Sequence, residues 1–186
     1  MIDMKLVVAI GGASGSIYAR LLLDKLMEMP AMEISMVLSK NASFNWELEN
    51  ENYPLGKYPF QRFENDDYSA PFASGSGKYD AMIICPCSAG QLGRIANGLS
   101  DDLISRSADV MLKERKKLVL VFRESPLSLI HIENMRSVTL AGGLICPAIP
   151  SFYSKPESMD ALAATVSNRA LELIGLDTKS FSWGTV

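Results

Sequence analysis

The stretch KLVVAIGGASGSIYARLLLDKL, residues 5–26, sets a strand, a glycine turn and a helix in immediate succession. In residues 5–10, Lys5 leads into an unbroken apolar run rich in β-branched residues, the mark of a strand buried on both faces. From residue 16 the apolar positions take helical spacing, with Ile17, Leu21, Leu22 and Leu26 on one face, and Pro30 closes the helix. Between them, Gly11, Gly12 and Gly15 let the backbone turn tightly and approach a neighbour closely.

The turn fits neither familiar phosphate-loop pattern. The glycines miss the G-x-G-x-x-G spacing, and the Lys-Ser/Thr pair of a Walker A loop is absent. A dinucleotide site also wants a carboxylate at the end of the second strand, where Ser39-Lys40 stands. What remains is a turn, serine hydroxyls and a helix N-terminus that faces an anion, which suits a mononucleotide phosphate or a flavin edge. The alternative is a plain strand-to-helix turn with Ser14 or Ser16 as the N-cap.

Outward from this unit the pattern repeats. Residues 33–39 read as a second strand and 41–51 as a helix; 81–85, 117–122 and 144–150 read as further strands. Helical segments fall near 91–97, 103–115, 127–142 and 156–174. Residues 52–78 carry Pro54, Pro59, Pro71 and SGSG without periodicity, and read as a long irregular loop. Alternating strands and helices predict a single-domain α/β fold: a three-layer, Rossmann-like or flavodoxin-like sandwich with a mainly parallel sheet. No repeat or linker divides residues 1–186, and about 177–186 form a tail.

At 186 residues and 48% hydrophobic the chain fills one core, and a net charge of -3 leaves no nucleic-acid footprint. The apolar run before the glycines is five residues, too short for a signal peptide, and no run reaches membrane-spanning length. Three cysteines, Cys85, Cys87 and Cys146, are an odd count without C-x-x-C spacing, which predicts a reduced, cytoplasmic protein.

Ligands of open parallel sheets bind beyond the carboxyl ends of the strands. Those positions hold residues 11–15, Ser39-Lys40, Cys85-Pro86-Cys87-Ser88, Arg123-Glu124 and the segment 147–153. Small hydroxyls, an Arg-Glu pair and Tyr153 therefore converge on one edge. An arginine there forks onto phosphate and the adjacent carboxylate moves a proton, unless the two are merely an exposed ion pair. The run LKERKK, residues 112–117, reads as a solvated helix end. His131 is the sole histidine and sits among apolar neighbours, so it reads as structural; histidine-dependent nucleophile and metal schemes lose their support. Trp46 and Trp183 read as packing residues, and Cys85 and Cys87 as small residues lining a turn.

Taken together, AIGGASGSIYARLL, SKNASFNWELE, APFASGS, CPCSAGQLGRIANGLSDDLISRSADVMLKERKKLVLVFRESPLSLIHIENM and PAIPSFYSKPESMDALAATVSNRALELIGL resemble the UbiX-type flavin prenyltransferases over nearly the whole chain. The resemblance implies a metal-independent transfer of a dimethylallyl group, usually from dimethylallyl monophosphate, to N5 and then C6 of reduced FMN. It implies a prenylated FMN product used by UbiD-type decarboxylases, and a large homo-oligomer, a dodecamer, with sites at subunit interfaces.

By motif match, Gly12, Ala13, Ser14, Ser39, Ser88, Ala89, Gly90, Gln91, Arg106 and Arg123 hold the flavin. Lys113, Arg123, Tyr153 and Arg169 grip the prenyl phosphate, some of them from a neighbouring subunit. Glu49 and Glu124 handle protons, with Ser14 near the reacting N5 edge, and Lys113 counts with these as catalytic. Tyr68 stands where some relatives have tryptophan, and Phe122 replaces a proline before Arg-Glu. Two other readings are a non-catalytic FMN carrier and a flavin-dependent cysteine decarboxylase; the latter relies on an active-site histidine, whereas His131 lies in a stretch shared with the prenyltransferases.

Overall fold

In the computed structural model, which describes residues 4–181 and residue 184, the opening apolar run is strand β1 (Met4–Ile10). Its alternation sends Leu6, Val8 and Ile10 into one core cluster and Val7 and Ala9 into the other, all fully buried. The strand is therefore covered on both faces, as an all-parallel sheet requires. Strands β2 (Met32–Leu38), β3 (Gln61–Phe63), β4 (Ala81–Cys87), β5 (Lys117–Phe122) and β6 (Leu144–Pro147) complete a sheet of order β3-β2-β1-β4-β5-β6. Every pairing is parallel. The strand order reverses between β1 and β4, the point where such sheets open a crevice.

Helices α1 (Ser16–Met27) and α6 (Met159–Leu173) pack on one face of the sheet, where Leu22, Leu23, Ala170 and Leu171 share a cluster with β1. On the same side, α2 (Ala42–Glu49) buries Trp46, whose indole N–H donates to the Tyr53 carbonyl at 2.7 Å. Helices α3 (Ala89–Ala96), α4 (Leu103–Lys113) and α5 (Leu129–Leu140) cover the other face through Leu92, Ile104, Ala108 and Val138. The result is the three-layer α/β fold expected from the sequence. Among the described residues no helix is long and apolar enough to cross a membrane.

One strand was not legible. The segment 52–78 contains β3, whose Ser35↔Gln61 to Val37↔Phe63 pairing places it at the sheet edge. Three residues, two of them exposed, give no alternation to read. The rest of the segment is a packing device: Phe72 is fully buried between Phe63 and Tyr79, with ring centroids 5.0 and 5.4 Å away. Trp183 lies outside the described residues.

Helix α5 is the exception to the layering. Val138 is its one buried residue, while Leu129, Ile130 and Leu140 are about seven-tenths exposed.

Candidate active site

The glycine turn is pinned from both sides. The Gly11 N–H donates to the Pro86 carbonyl at 3.1 Å, and a Cβ at residue 11 would stand 2.2 Å from that oxygen, so only glycine fits. On the other side the Ser39 N–H donates to the Ile10 carbonyl at 2.9 Å, and Asn45 donates to the Gly12 carbonyl at 2.7 Å. A Cβ on Gly12 would meet Asn41 Cβ at 2.9 Å and Ser39 Oγ at 3.4 Å. The carboxyl ends of β1, β2 and β4 are thus drawn together under the turn.

Glu49, the last residue of α2, closes the turn from above. Its Oε2 accepts from the Gly15 N–H at 2.8 Å, the Ser16 N–H at 2.7 Å and the Ser16 hydroxyl at 2.9 Å. The N-cap of α1 is Gly15 at φ 103°, with no side-chain cap of its own. Neither Ser14 nor Ser16 is the cap, and the anion expected at this helix N-terminus is the chain's own carboxylate. Burial alone would raise the Glu49 carboxyl. Hydrogen bonds from the Ser14 and Ser16 hydroxyls and from the Gly15 and Ser16 backbone outweigh it and hold its pKa below the ordinary value. At neutral pH this group is an ionised proton acceptor.

Behind Ser16 lies a buried polar chain. Asn50 Nδ2 donates to Ser16 Oγ at 2.8 Å, and Arg20 Nε donates to Asn50 Oδ1 at 3.0 Å. The Arg20 guanidinium also binds Asp160 at 2.6 Å and lies 4.2 Å from the Tyr53 ring centroid. Of these, the sequence singled out Ser16 alone, and only as a candidate N-cap; Asn50 and Arg20 did not stand out. Ser16 and Arg20 are the buried polar residues of α1, and a buried polar residue has no periodicity signal.

Further along the edge, Ser88 caps α3 by accepting from the Gln91 N–H at 3.2 Å, and Gln91 itself donates to Ser105 at 2.9 Å. Ala89 and Gly90 form the first turn of that helix. Arg106 Nε donates to the Ala73 carbonyl at 3.0 Å, so it ties α4 to the segment before β4. The Arg123 N–H donates to the Cys87 carbonyl at 3.0 Å, which brings the ends of β4 and β5 together. The Arg123 side chain stands beside Gly15, as does the ring of Tyr18, 2.9 Å from the position of an added Cβ. Burial raises the Tyr18 phenol, against the pull of Arg123. Tyr18 is thus a rim residue that helical spacing conceals. Glu124 Oε1 accepts from the Ser125 N–H at 3.0 Å.

The remaining sequence candidates stand apart from this cluster. Lys113 is exposed at the C-terminus of α4, and the next turn leads into the start of β5, where Lys116 pairs with Asp80 before β4. It therefore sits at the amino-end edge of the sheet, opposite the glycine turn. Arg169 pairs with Glu172 at 3.3 Å and lines a cavity of about 590 Å³ beyond the end of β6, together with Cys146, Ser151, Ser154 and Phe181. Exposed Tyr153 belongs to the loop between those two serines. His131 completes the capping box of α5, its Nδ1 accepting from the Ser128 N–H at 3.2 Å. The three cysteines are free and buried, and burial raises each thiol, so none is a ready nucleophile.

Known proteins are similar to this chain over nearly its whole length. The Flavoprotein family model matches residues 2–157. The flavin prenyltransferase UbiX of Methanocaldococcus jannaschii is 41% identical over 98% of this chain and 100% of its own. The crystal structure of AnUbiX in complex with FMN and dimethylallyl pyrophosphate matches with a TM-score of 0.91 and 42% identity, over 96% of each chain. A dodecameric FMN-dependent UbiX-like decarboxylase from Escherichia coli O157:H7 matches with a TM-score of 0.91 and 40% identity, over 96% of this chain and 99% of that one. The chain belongs to the flavoprotein family and, within it, to the UbiX-type flavin prenyltransferases.

Proposed function

We propose that this chain moves a dimethylallyl group from dimethylallyl monophosphate to N5 and C6 of reduced FMN, and that the prenylated FMN serves a UbiD-type decarboxylase. What carries the proposal is the ionised Glu49 carboxylate over a glycine turn at the sheet's switch point. Support comes from the relative, 42% identical, whose structure holds FMN and dimethylallyl pyrophosphate.

FMN fits the residues present. Ser39 Oγ is a buried side-chain oxygen without a hydrogen-bond partner, directly beneath Gly12, where any side chain would crowd it. Gly12, Ala13, Ser14, Ser39, Ser88, Ala89, Gly90, Gln91, Arg106 and Arg123 would hold the flavin. When bound in its reduced form, the flavin supplies a nucleophilic ring nitrogen and a flat π surface. Arg123 offsets the charge that grows on the departing phosphate. Glu49 takes a proton on its carboxylate, Glu124 assists from the next strand end, and Ser14 orients the reacting edge. The half-exposed ring of Tyr68 shelters the cationic allyl group.

Lys113, Tyr153 and Arg169 complete the phosphate grip from another copy of the chain. Lys113 stands on the far edge of its own sheet, and α5 and the segment 149–152 expose Leu129, Ile130, Ile149 and Phe152. Such a surface belongs against another subunit. This supports a homo-oligomeric reading, with a dodecamer proposed on the likeness to the dodecameric E. coli relative. The whole of residues 1–186 is one flavin-binding prenyltransferase domain, cytoplasmic, consistent with three free buried cysteines.

An FMN carrier needs no phosphate grip, and a cysteine decarboxylase needs an active-site histidine, whereas the sole histidine here, His131, serves the capping box of α5. The test is anaerobic incubation of protein, reduced FMN and dimethylallyl monophosphate, with mass spectrometry of the released flavin. Addition of one five-carbon unit is expected. Unmodified bound FMN with both monophosphate and diphosphate donors would make the chain a carrier.

A further inference from the structure

We infer that Asn50 and Arg20 are positioning residues for Glu49: through the hydroxyl of Ser16 they fix where its proton points, and so keep the Glu49 carboxylate an ionised acceptor. The inference rests on the proposed role of Glu49 and states how the chain holds that group ready.

A serine hydroxyl has one proton to donate. Around Ser16 Oγ lie Asn50 Nδ2 at 2.8 Å, Glu49 Oε2 at 2.9 Å and the Asn45 carbonyl at 3.4 Å. The amide of Asn50 donates, so the serine proton is left for Glu49 or Asn45. The charged, shorter acceptor takes it. The arrangement depends on which way the Asn50 amide is turned. Arg20 settles that, because a guanidinium only donates and its Nε occupies Asn50 Oδ1 at 3.0 Å. Were the amide reversed, two donors would face each other and Asn50 would compete with Glu49 for the serine proton.

Arg20 is itself held. Its Nη2 binds Asp160 in the first turn of α6 at 2.6 Å, and its Nη1 lies 3.8 Å from Asp24. Asp24 also pairs with Lys57 at 2.7 Å and accepts from the Tyr58 hydroxyl at 2.9 Å. Tyr53 stacks on the guanidinium. The cation is answered by its own carboxylates, so its effect on Glu49 passes through the hydrogen bonds. Arg20, Asn50 and Ser16 are 5%, 4% and 1% exposed. A buried chain with its members satisfied keeps one orientation. The groups that meet Glu49 itself are Ser14, Gly15 and Ser16, with no other charge among them.

The deciding experiment is an isotope-edited infrared titration of the Glu49 carboxylate in flavin-free protein carrying 13C-glutamate, with the Glu49→Gln spectrum subtracted. Asn50→Asp keeps an oxygen for Arg20 but gives Ser16 a second acceptor. It should raise the Glu49 midpoint by about one pH unit. In a Ser16→Ala background only charge repulsion remains, and the same substitution should shift the midpoint less than half as far. Arg20→Lys, which keeps the charge but loses the fixed fork, should raise the midpoint in the same direction and covers the case that Asn50→Asp does not fold. The acid limb of the single-turnover prenylation rate should move with the midpoint. Equal shifts in both backgrounds, or no shift in either single variant, overturn the relay. Failure of the unsubstituted protein to prenylate flavin instead overturns the role of Glu49 on which the relay's purpose depends.

Discussion

The β1–β2 end of the sheet and its β5–β6 end are finished to different degrees. At the first, the Gly11 and Ser39 N–H groups, the Asn45 amide, Ser16 and Glu49 all find partners within the chain, Ser39 Oγ is left over, and a buried arginine anchors the set to α6. At the second, apolar side chains of α5 and the segment after β6 face outward, and a cavity beside Arg169 stands open. One end prepares the flavin's acceptor chemistry before any ligand arrives. On the proposed reading, the other holds parts that become useful only once a second copy is in place. Preorganised donors and acceptors are effective because they need not rearrange as charge develops, whereas apolar surface is stabilised by being covered.

The contrast can be broken from either side. Glu49→Gln should cost the largest effect, prenyl transfer falling on the order of 10²–10⁴-fold while flavin binding, followed by fluorescence quenching, is retained. If transfer survives, the finished end is not the chemical one. Paired substitutions Leu129→Asp and Ile130→Asp on the unfinished end should dissociate the oligomer, as read by analytical ultracentrifugation. Prenyl transfer should then drop at least about tenfold if the phosphate grip is divided between copies as proposed.

Smaller effects sharpen the picture. Gly11→Ala must push the turn off Pro86 and should cost about 1–3 kcal/mol in denaturant unfolding. Ser128→Ala removes the cap of α5 and should cost about 1 kcal/mol without altering flavin binding. The Glu49 pKa is lowered in the folded chain, so its contribution to stability is present above the ordinary carboxyl value and fades as pH falls through the lower folded value. The thermal midpoint of Glu49→Gln should accordingly show a weaker fall with acid than that of the unsubstituted chain.

Much of this was legible in the sequence because it follows from period and punctuation. The run 5–10, the glycines and the helical spacing after them place β1, the turn and α1, and the same logic finds four more strands. Strand β3 escaped because a three-residue edge strand has no alternation to show. Ser14, Ser39, Glu49 and Arg123 were named by where they fall relative to strand ends and by motif, and the structure gathers them at one rim. The polar chain of Ser16, Asn50 and Arg20 was invisible as a chain, since its meaning lies in hydrogen bonds between residues thirty or more apart. The opposite placement of Lys113 was equally hidden. A helix end reads the same in sequence whichever edge of the sheet it reaches.

The central claim, that one copy supplies the flavin rim and another completes the phosphate grip, is tested most directly by subunit mixing. Glu49→Gln and Lys113→Ala proteins, each inactive alone, are co-assembled and assayed for flavin prenylation. Recovery toward about a quarter of the full activity is expected, the share of sites that draw both intact residues from different copies in a random assembly. Mixed oligomers that stay as inactive as either variant alone would contradict the claim and place Glu49 and Lys113 in the same subunit's site.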